Sequence, residues 1–164
     1  MIERVKIGFW YEFQLYGIDG KLKSASRFEN LLPDESRDLC MAAWLQAGVQ
    51  YSTFYIGIYA NDRTPLYADK ATDLGEYGEI SEVSEVERPA WSPSALVGGV
   101  LESSANPSVF TATSEFTARG AFLVTTQPFE TNSGILISVA EAPSPKVVEV
   151  GEVLRVPAGI SLLT

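Results

Sequence analysis

The sequence predicts a mainly β fold, a β-sandwich or jelly-roll-like single domain with one short α-helix after an N-terminal β-hairpin. Three observations carry this. The first segment alternates apolar and polar residues with a period of two; many short β-rich runs follow, separated by Gly, Pro, Asn and Ser; and only one stretch, about 34–47, has helical spacing.

From Val5 to Leu15 the odd positions are Val5, Ile7, Phe9, Tyr11, Phe13 and Leu15, and the even ones include Lys6, Gly8, Glu12 and Gln14. In a strand, successive side chains point to opposite faces, so this segment should bury one face and expose the other. Asp19-Gly20 supplies a turn, and KLKSASRFENL resumes in extended form as the second arm of a hairpin. Pro33-Asp34-Glu35-Ser36 reads as a helix start, with Asp34 as N-cap and acidic charge in the first turn, and Gly48 as the stop. Met41, Trp44, Leu45 and Gly48 fall at i, i+3, i+4 and i+7, which predicts that the helix lays this face on the sheet. Strands are expected at Thr53–Ala60, Gly78–Val86, Ser108–Thr113, Gly120–Thr126, Gly134–Ala140, Val147–Val150, Val153–Val156 and Ile160–Leu163. The region 88–106, with Pro89, Trp91, Pro93 and Gly98-Gly99, is the least strand-like and is expected to form an extended loop or arm.

Composition bounds the function. The 164 residues are 46% hydrophobic and 20% charged, as expected of one globular domain spanning 1–164. Twelve Lys/Arg against 21 Asp/Glu leave a net charge of −9, which disfavours a phosphate backbone, so nucleic acid is not an expected partner. No apolar run reaches the roughly 18 residues of a membrane span, and charges interrupt the N-terminal segment where a signal peptide would be continuous. A cytoplasmic site of synthesis and no membrane partner are expected.

Histidine is absent and Cys40 is the only cysteine. The commonest proton-transfer side chain near neutral pH is therefore missing, and with it Ser-His-Asp, Cys-His and His-ligated metal sites. There is no GxGxxG and no Walker A sequence. These features predict a protein that is not an enzyme, with no cofactor, no metal, no catalytic residues and no small-molecule substrate. Cys40 is expected to be a small buried filler. Glu79, Glu82, Glu85 and Glu87 form the densest acidic cluster; the expected reading is a solvated edge, and a glycosidase pair of Glu82 and Glu85 is the weaker alternative. Asp62, Asp69 and Asp73 lack the spacing of a calcium loop.

Among the aromatics, Trp10 and Tyr16 lie on the otherwise polar face of the first strand and are candidates for a protein interface. Arg88, Pro89, Trp91 and Pro93, within the expected arm, complete the candidate set.

Three stretches resemble tailed-bacteriophage structural proteins. FYIGIYANDRTP followed by EISEVSEVERPAWSPSA is similar to a strand, a short N-x-x-x-P loop and an E-x-x-RPAW-x-P motif in that group. SSANPSVFTATSEFTARGAFLVTT resembles a polar patch followed by a V-F-T and G-A-F-L strand pair. GILISVAEAPSPKVVEVGEVLRVPAGISL is similar to a closing apolar strand, an Ala/Ser/Pro bend and a final hairpin. Together they run from Thr53 to Leu163, and the strand-turn-strand ending in Phe28-Glu29-Asn30-Leu31 fits the opening of the same group. The resemblance implies a virion component, made in the host bacterial cytoplasm: a head-decoration or cement protein that binds the major capsid protein and copies of itself. The alternatives are a tail, neck or fibre-attachment component, or a receptor- or glycan-binding β-sandwich.

Overall fold

A computed structural model describes residues 6–163, and Val5 of the expected first strand lies outside them. Among the described residues the chain is mainly β, with two antiparallel sheets and one helix longer than a single turn. β1 (Lys6–Tyr16) and β2 (Leu22–Glu29) form the expected hairpin. β1 also pairs along its other edge with β8 (Val153–Val156) and β9 (Ala158–Leu163). These last two act as one long strand interrupted at Pro157, whose carbonyl still accepts from the Glu12 amide at 3.0 Å. Beyond them, β4 (Val100–Glu102) pairs with β9 and β5 (Ser108–Thr111) with β8. The second sheet is β3 (Tyr55–Tyr59), β6 (Phe116–Val124) and β7 (Leu136–Val148) in that order.

The period-two reading of β1 holds in space. Phe9, Tyr11, Phe13 and Leu15 are all buried and meet Ile56 and Ile58 of β3 and Leu123 of β6 in one core between the sheets. A polar tie crosses this core: the Tyr11 hydroxyl donates to Ser138 Oγ of β7 at 2.9 Å. The second sheet is covered on its outer face too. There a 3₁₀ turn at Ala71–Asp73 and the single turn α2 (Leu74–Tyr77) pack on Tyr59, Phe122, Val124 and Leu136.

Aromatic rings lie over cross-strand glycines at three places. Gly57 is opposite Phe122, Gly120 opposite Tyr59, and Gly159 opposite Trp10. A Cβ at these glycines would fall 2.1 Å from the Phe122 ring, 2.3 Å from the Tyr59 ring and 2.6 Å from the Trp10 indole. Each ring thus occupies the space that its partner's missing side chain leaves, which offsets the weak strand preference of glycine.

Three expectations change. Gly78–Val86 is not a strand, because it switches partners along its length. The Ala60 amide donates to the Gly78 carbonyl and the Ile80 amide to the Ile58 carbonyl at the edge of the second sheet, and the Ser84 amide then donates to the Thr111 carbonyl of the first. The segment straps one side of the sandwich, and only isolated bridges form, at Glu79 and Val83. Gly134–Ala140 and Val147–Val150 belong largely to one strand, β7. Its register against β6 jumps from Gly120↔Glu141 to Ala118↔Lys146, so Pro143 and Pro145 sit in a bulge where no ladder amide is needed.

The helix α1 (Asp34–Leu45) forms where expected, but with a different cap, stop and orientation. Pro33 is the N-cap and no side chain caps the first turn. At the other end Ala47 adopts the left-handed φ of 51°, and the Gly48 amide turns back to the Ala42 carbonyl at 2.9 Å. The N-terminal turn anchors the helix: Ser36 is buried, and the Glu35 carboxylate accepts from the amides of Ala71 at 2.9 Å and Leu136 at 2.6 Å. Met41, Trp44 and Leu45, expected against the sheet, are instead 56%, 69% and 72% exposed.

Candidate interaction surface

The six residues singled out from the sequence do not share one surface. Trp10 and Tyr16 stay on the outer face of the six-stranded sheet, both half-buried, at opposite ends of a strand segment roughly 20 Å long. Each carries an arginine: the Arg27 guanidinium lies 3.7 Å from the Trp10 ring centroid, and that of Arg155 4.6 Å from Tyr16. Arg27 also reaches Glu12 at 3.3 Å. Aromatic, arginine and carboxylate groups therefore alternate across this open face, a composition suited to protein contacts.

Arg88 and Trp91 lie elsewhere. Trp91 is 9% exposed, packs between Phe9 and Phe54, and donates its indole N–H to the Ala158 carbonyl at 3.1 Å. Arg88 is fully buried and stands 5.3 Å over the Phe122 ring. Pro89 and Pro93 are half-buried, and the Pro89 carbonyl accepts from the Ile56 amide at 3.0 Å. The segment 88–93 is thus stitched to the body rather than free as an arm; a further backbone bond joins Trp91 N–H to Phe54 at 2.8 Å. What does project is a hairpin. Val97 and Val100 exchange backbone bonds of 3.1 and 3.0 Å across Gly98-Gly99, whose φ values of 57° and 77° fit a type I′ turn.

Between this hairpin and α1 lies an apolar groove of about 460 Å³. Cys40, Met41 and Trp44 form one wall and Leu96 and Gly99 the other. Leu101, Ile137 and Ile160, from β4, β7 and β9, also line it and pack directly on the main core, so the groove lies against the edge of that core. Arg37 is its one charged lining residue, and it is engaged with Asp34 one helical turn back. Cys40, expected as a buried filler, is exposed in this groove; the surrounding apolar groups raise its thiol pKa. The sequence reading missed the groove because an apolar helical stripe shows that a face seeks cover, not what covers it.

The acidic cluster is dispersed among structural bonds. Glu79 pairs with Arg88, Glu85 accepts from the Thr111 amide at 2.8 Å and hydroxyl at 3.1 Å, and Glu87 accepts from Gln127 at 2.7 Å. Among the described residues Glu82, exposed like Glu87, is the one of the four whose carboxylate bonds only to its neighbour, the Ser81 amide at 3.3 Å. Asp69 is buried and holds the 63–77 region together, accepting from Arg63 at 2.7 Å, the Leu66 amide at 2.8 Å and the Tyr77 hydroxyl. Burial and that bond raise the Tyr77 pKa. Among the described residues no three acidic or cysteine side chains converge as a metal site, and no helix is long and apolar enough to cross a membrane.

The fold is that of a two-sheet β protein with an exposed aromatic–arginine face on one sheet and an apolar groove beside α1. Compared with known protein families and with curated proteins, the chain shows no match.

Proposed function

We propose that the chain is a structural protein of a tailed-bacteriophage virion, a capsid cement protein that binds the major capsid protein and stabilises the head. The observation that carries this reading is the ordered set of motifs from Thr53 to Leu163, with RPAW (residues 88–91) as its most distinctive element. In the fold those four residues hold the 126–131 loop, β3 and β9 together, which is a scaffold role.

Two further features support a binding rather than a catalytic role. Three of the four clustered glutamates are occupied by partners within the fold, and the chain has no histidine. The face carrying Trp10, Tyr16, Arg27 and Arg155 presents the residue types that dominate protein interfaces, and it is the surface assigned here to the capsid. Many copies bound by symmetry multiply a modest contact energy into a large effect on the shell.

Cryo-electron microscopy of the virion tests the assignment. Density for this chain over the capsid lattice, with the Trp10 face against the major capsid protein, is the expected result; density confined to the tail or neck overturns the cement reading.

A further inference from the structure

Most outer strands of the two sheets are already engaged along their free edge. Backbone hydrogen bonds tie β3 to Gly78, Ile80 and Pro89, β5 to Ser84, β4 to Ser94 and β7 to Leu31. β2 is different. The Asn30 amide donates to the Phe9 carbonyl at 3.1 Å, so the bonds that join β2 to β1 run through Phe28, Ser26 and Ser24. The backbone N–H and C=O groups of Ala25, Arg27 and Glu29 therefore point away from β1, and among the described residues they meet no partner. All three residues are exposed, and no proline blocks the strand. An edge of this kind is a template for another extended segment.

We propose that β2 pairs with β2 of a second copy, antiparallel about a twofold axis through Ser26, so that the larger sheet runs on from one chain into the other. The residues of the strand select both that partner and that register. With the axis at Ser26, Ala25 of each copy faces Arg27 of the other, which closes four backbone bonds through the free groups. Lys23, at the register shift of the β1–β2 ladder, then comes opposite Glu29 at both ends. The exposed Glu29 carboxylate has no other partner among the described residues, and the Lys23 ammonium, bonded once to Glu152, keeps protons to donate. The neighbouring registers that also use the free groups are worse. An axis at Ala25 sets Lys23 against Arg27, and an axis at Arg27 sets that residue against its own copy; like charges directly opposite are destabilising.

The Ser26 hydroxyl is an independent observation on the same axis. It is shut away from solvent with no hydrogen-bond partner, an unfavourable state for a polar group. Across the twofold axis the two Ser26 side chains form a directly opposed, non-hydrogen-bonded pair, the closer of the two kinds, and one hydroxyl can donate to the other. A strand from a different protein would need a serine at that position and the reverse order of charges around it. β2 supplies both to itself. The axis stands perpendicular to the sheet, so the Trp10 faces of the two copies stay open side by side.

Cross-linking in the full chain tests the register, with the only cysteine removed by Cys40→Ser. Ser26→Cys should form a covalent dimer under oxidised glutathione, because opposed non-hydrogen-bonded residues have Cα atoms about 4.5 Å apart, within disulfide reach. Ser24→Cys, on the same face but roughly 13 Å from its symmetry mate, should not. For the unsubstituted chain, sedimentation velocity over a concentration series should show a monomer–dimer equilibrium. Hydrogen exchange of the Ala25 and Arg27 amides should slow with it, about tenfold when nine-tenths of the chain is paired. Ala25→Pro removes an outward N–H, which an edge strand tolerates, and should give a monomer with an unchanged circular dichroism spectrum. Glu29→Lys should raise the dissociation constant about tenfold. A chain that stays monomeric at every concentration, with both amides exchanging freely, overturns the proposal and leaves the edge to an extended segment of a different protein. So does a dimer that survives Ala25→Pro, or cross-linking as efficient with Ser24→Cys as with Ser26→Cys. None of these results touches the capsid assignment, which rests on the outer face of the sheet rather than on its edge.

Discussion

Arg88 and Glu79 meet through two parallel bonds of 2.7 and 2.8 Å with both side chains out of solvent, at 0% and 4% exposure. The guanidinium spends its remaining donors on the Thr126 carbonyl and hydroxyl at 2.8 and 3.0 Å and on the Thr131 carbonyl at 3.2 Å. Glu79 also accepts from the Glu130 amide at 2.6 Å, at a residue with the left-handed φ of 57°. One buried pair therefore shapes the whole β6–β7 connection.

Removing one partner leaves a buried charge without compensation, which costs about 3–5 kcal/mol. Arg88→Met should lower stability by that amount in urea denaturation. Adding Glu79→Leu in the same chain should recover part of the loss, because no uncompensated charge then remains. A double variant less stable than the single one by the full Glu79 contribution would contradict this account.

Trp91 should behave as a core residue. Trp91→Ala is expected to destabilise by about 3–5 kcal/mol through cavity formation, with little added from the lost indole bond, since the Ala158 carbonyl still accepts from the Ser103 amide at 2.9 Å. Trp91→Phe should recover much of the packing. In the folded fraction, binding through the Trp10 face should be unchanged, which a titration below the melting temperature can measure.

The aromatic–glycine pairs predict a graded response to added methyl groups. At Gly120 the obstructing atoms include the Ala140 carbonyl oxygen at 2.2 Å, a backbone group that cannot rotate away. Gly120→Ala should therefore cost about 3 kcal/mol, at the upper end of typical overpacking penalties. At Gly159 the obstacle is the half-buried Trp10 indole, which can swing outward. Gly159→Ala should leave stability nearly intact and shift the Trp10 fluorescence toward that of a solvated indole.

Glu152 and Lys23 give the fold a defined pH window. The Lys23 ammonium, aided by the Glu149 amide, holds the Glu152 carboxyl below its usual range, and the same pair raises Lys23. A carboxyl depressed in the folded state contributes stability above its unfolded pKa of about 4.3 and loses it as pH falls through the lower folded value. The raised lysine contributes below its unfolded pKa of about 10.4 and loses it as pH rises through the folded value. Buried Tyr11, Tyr59 and Tyr77 act in the same direction on the alkaline side, since desolvation holds their hydroxyls protonated while the unfolded chain ionises near pH 10. Denaturation midpoints should be flat from about pH 5 to 10 and fall on both sides. Lys23→Met should weaken the acid limb, and the three tyrosines should ionise together with unfolding in an alkaline absorbance titration.

Local chemistry determined much of this protein. Alternation in β1 told which side of the strand is core, since the two faces of a strand are fixed by its pleat, and the predicted turn at Asp19-Gly20 and the helix, expected over about 34–47 and found at Asp34–Leu45, follow from residues within one turn of each other. Tertiary structure decided everything that depends on distant partners. Gly78–Val86 has strand composition but no single neighbour to pair with. The Met41–Trp44–Leu45 stripe had helical spacing, yet Glu35 bonds Ala71 and Leu136 and turns that stripe outward. Trp91 looked like an exposed anchor between prolines, and the backbone bonds to Phe54 and Gln127 draw its segment into the core. Periodicity states that a face is apolar; only the meeting of segments far apart in the chain decides whether it becomes interior or surface.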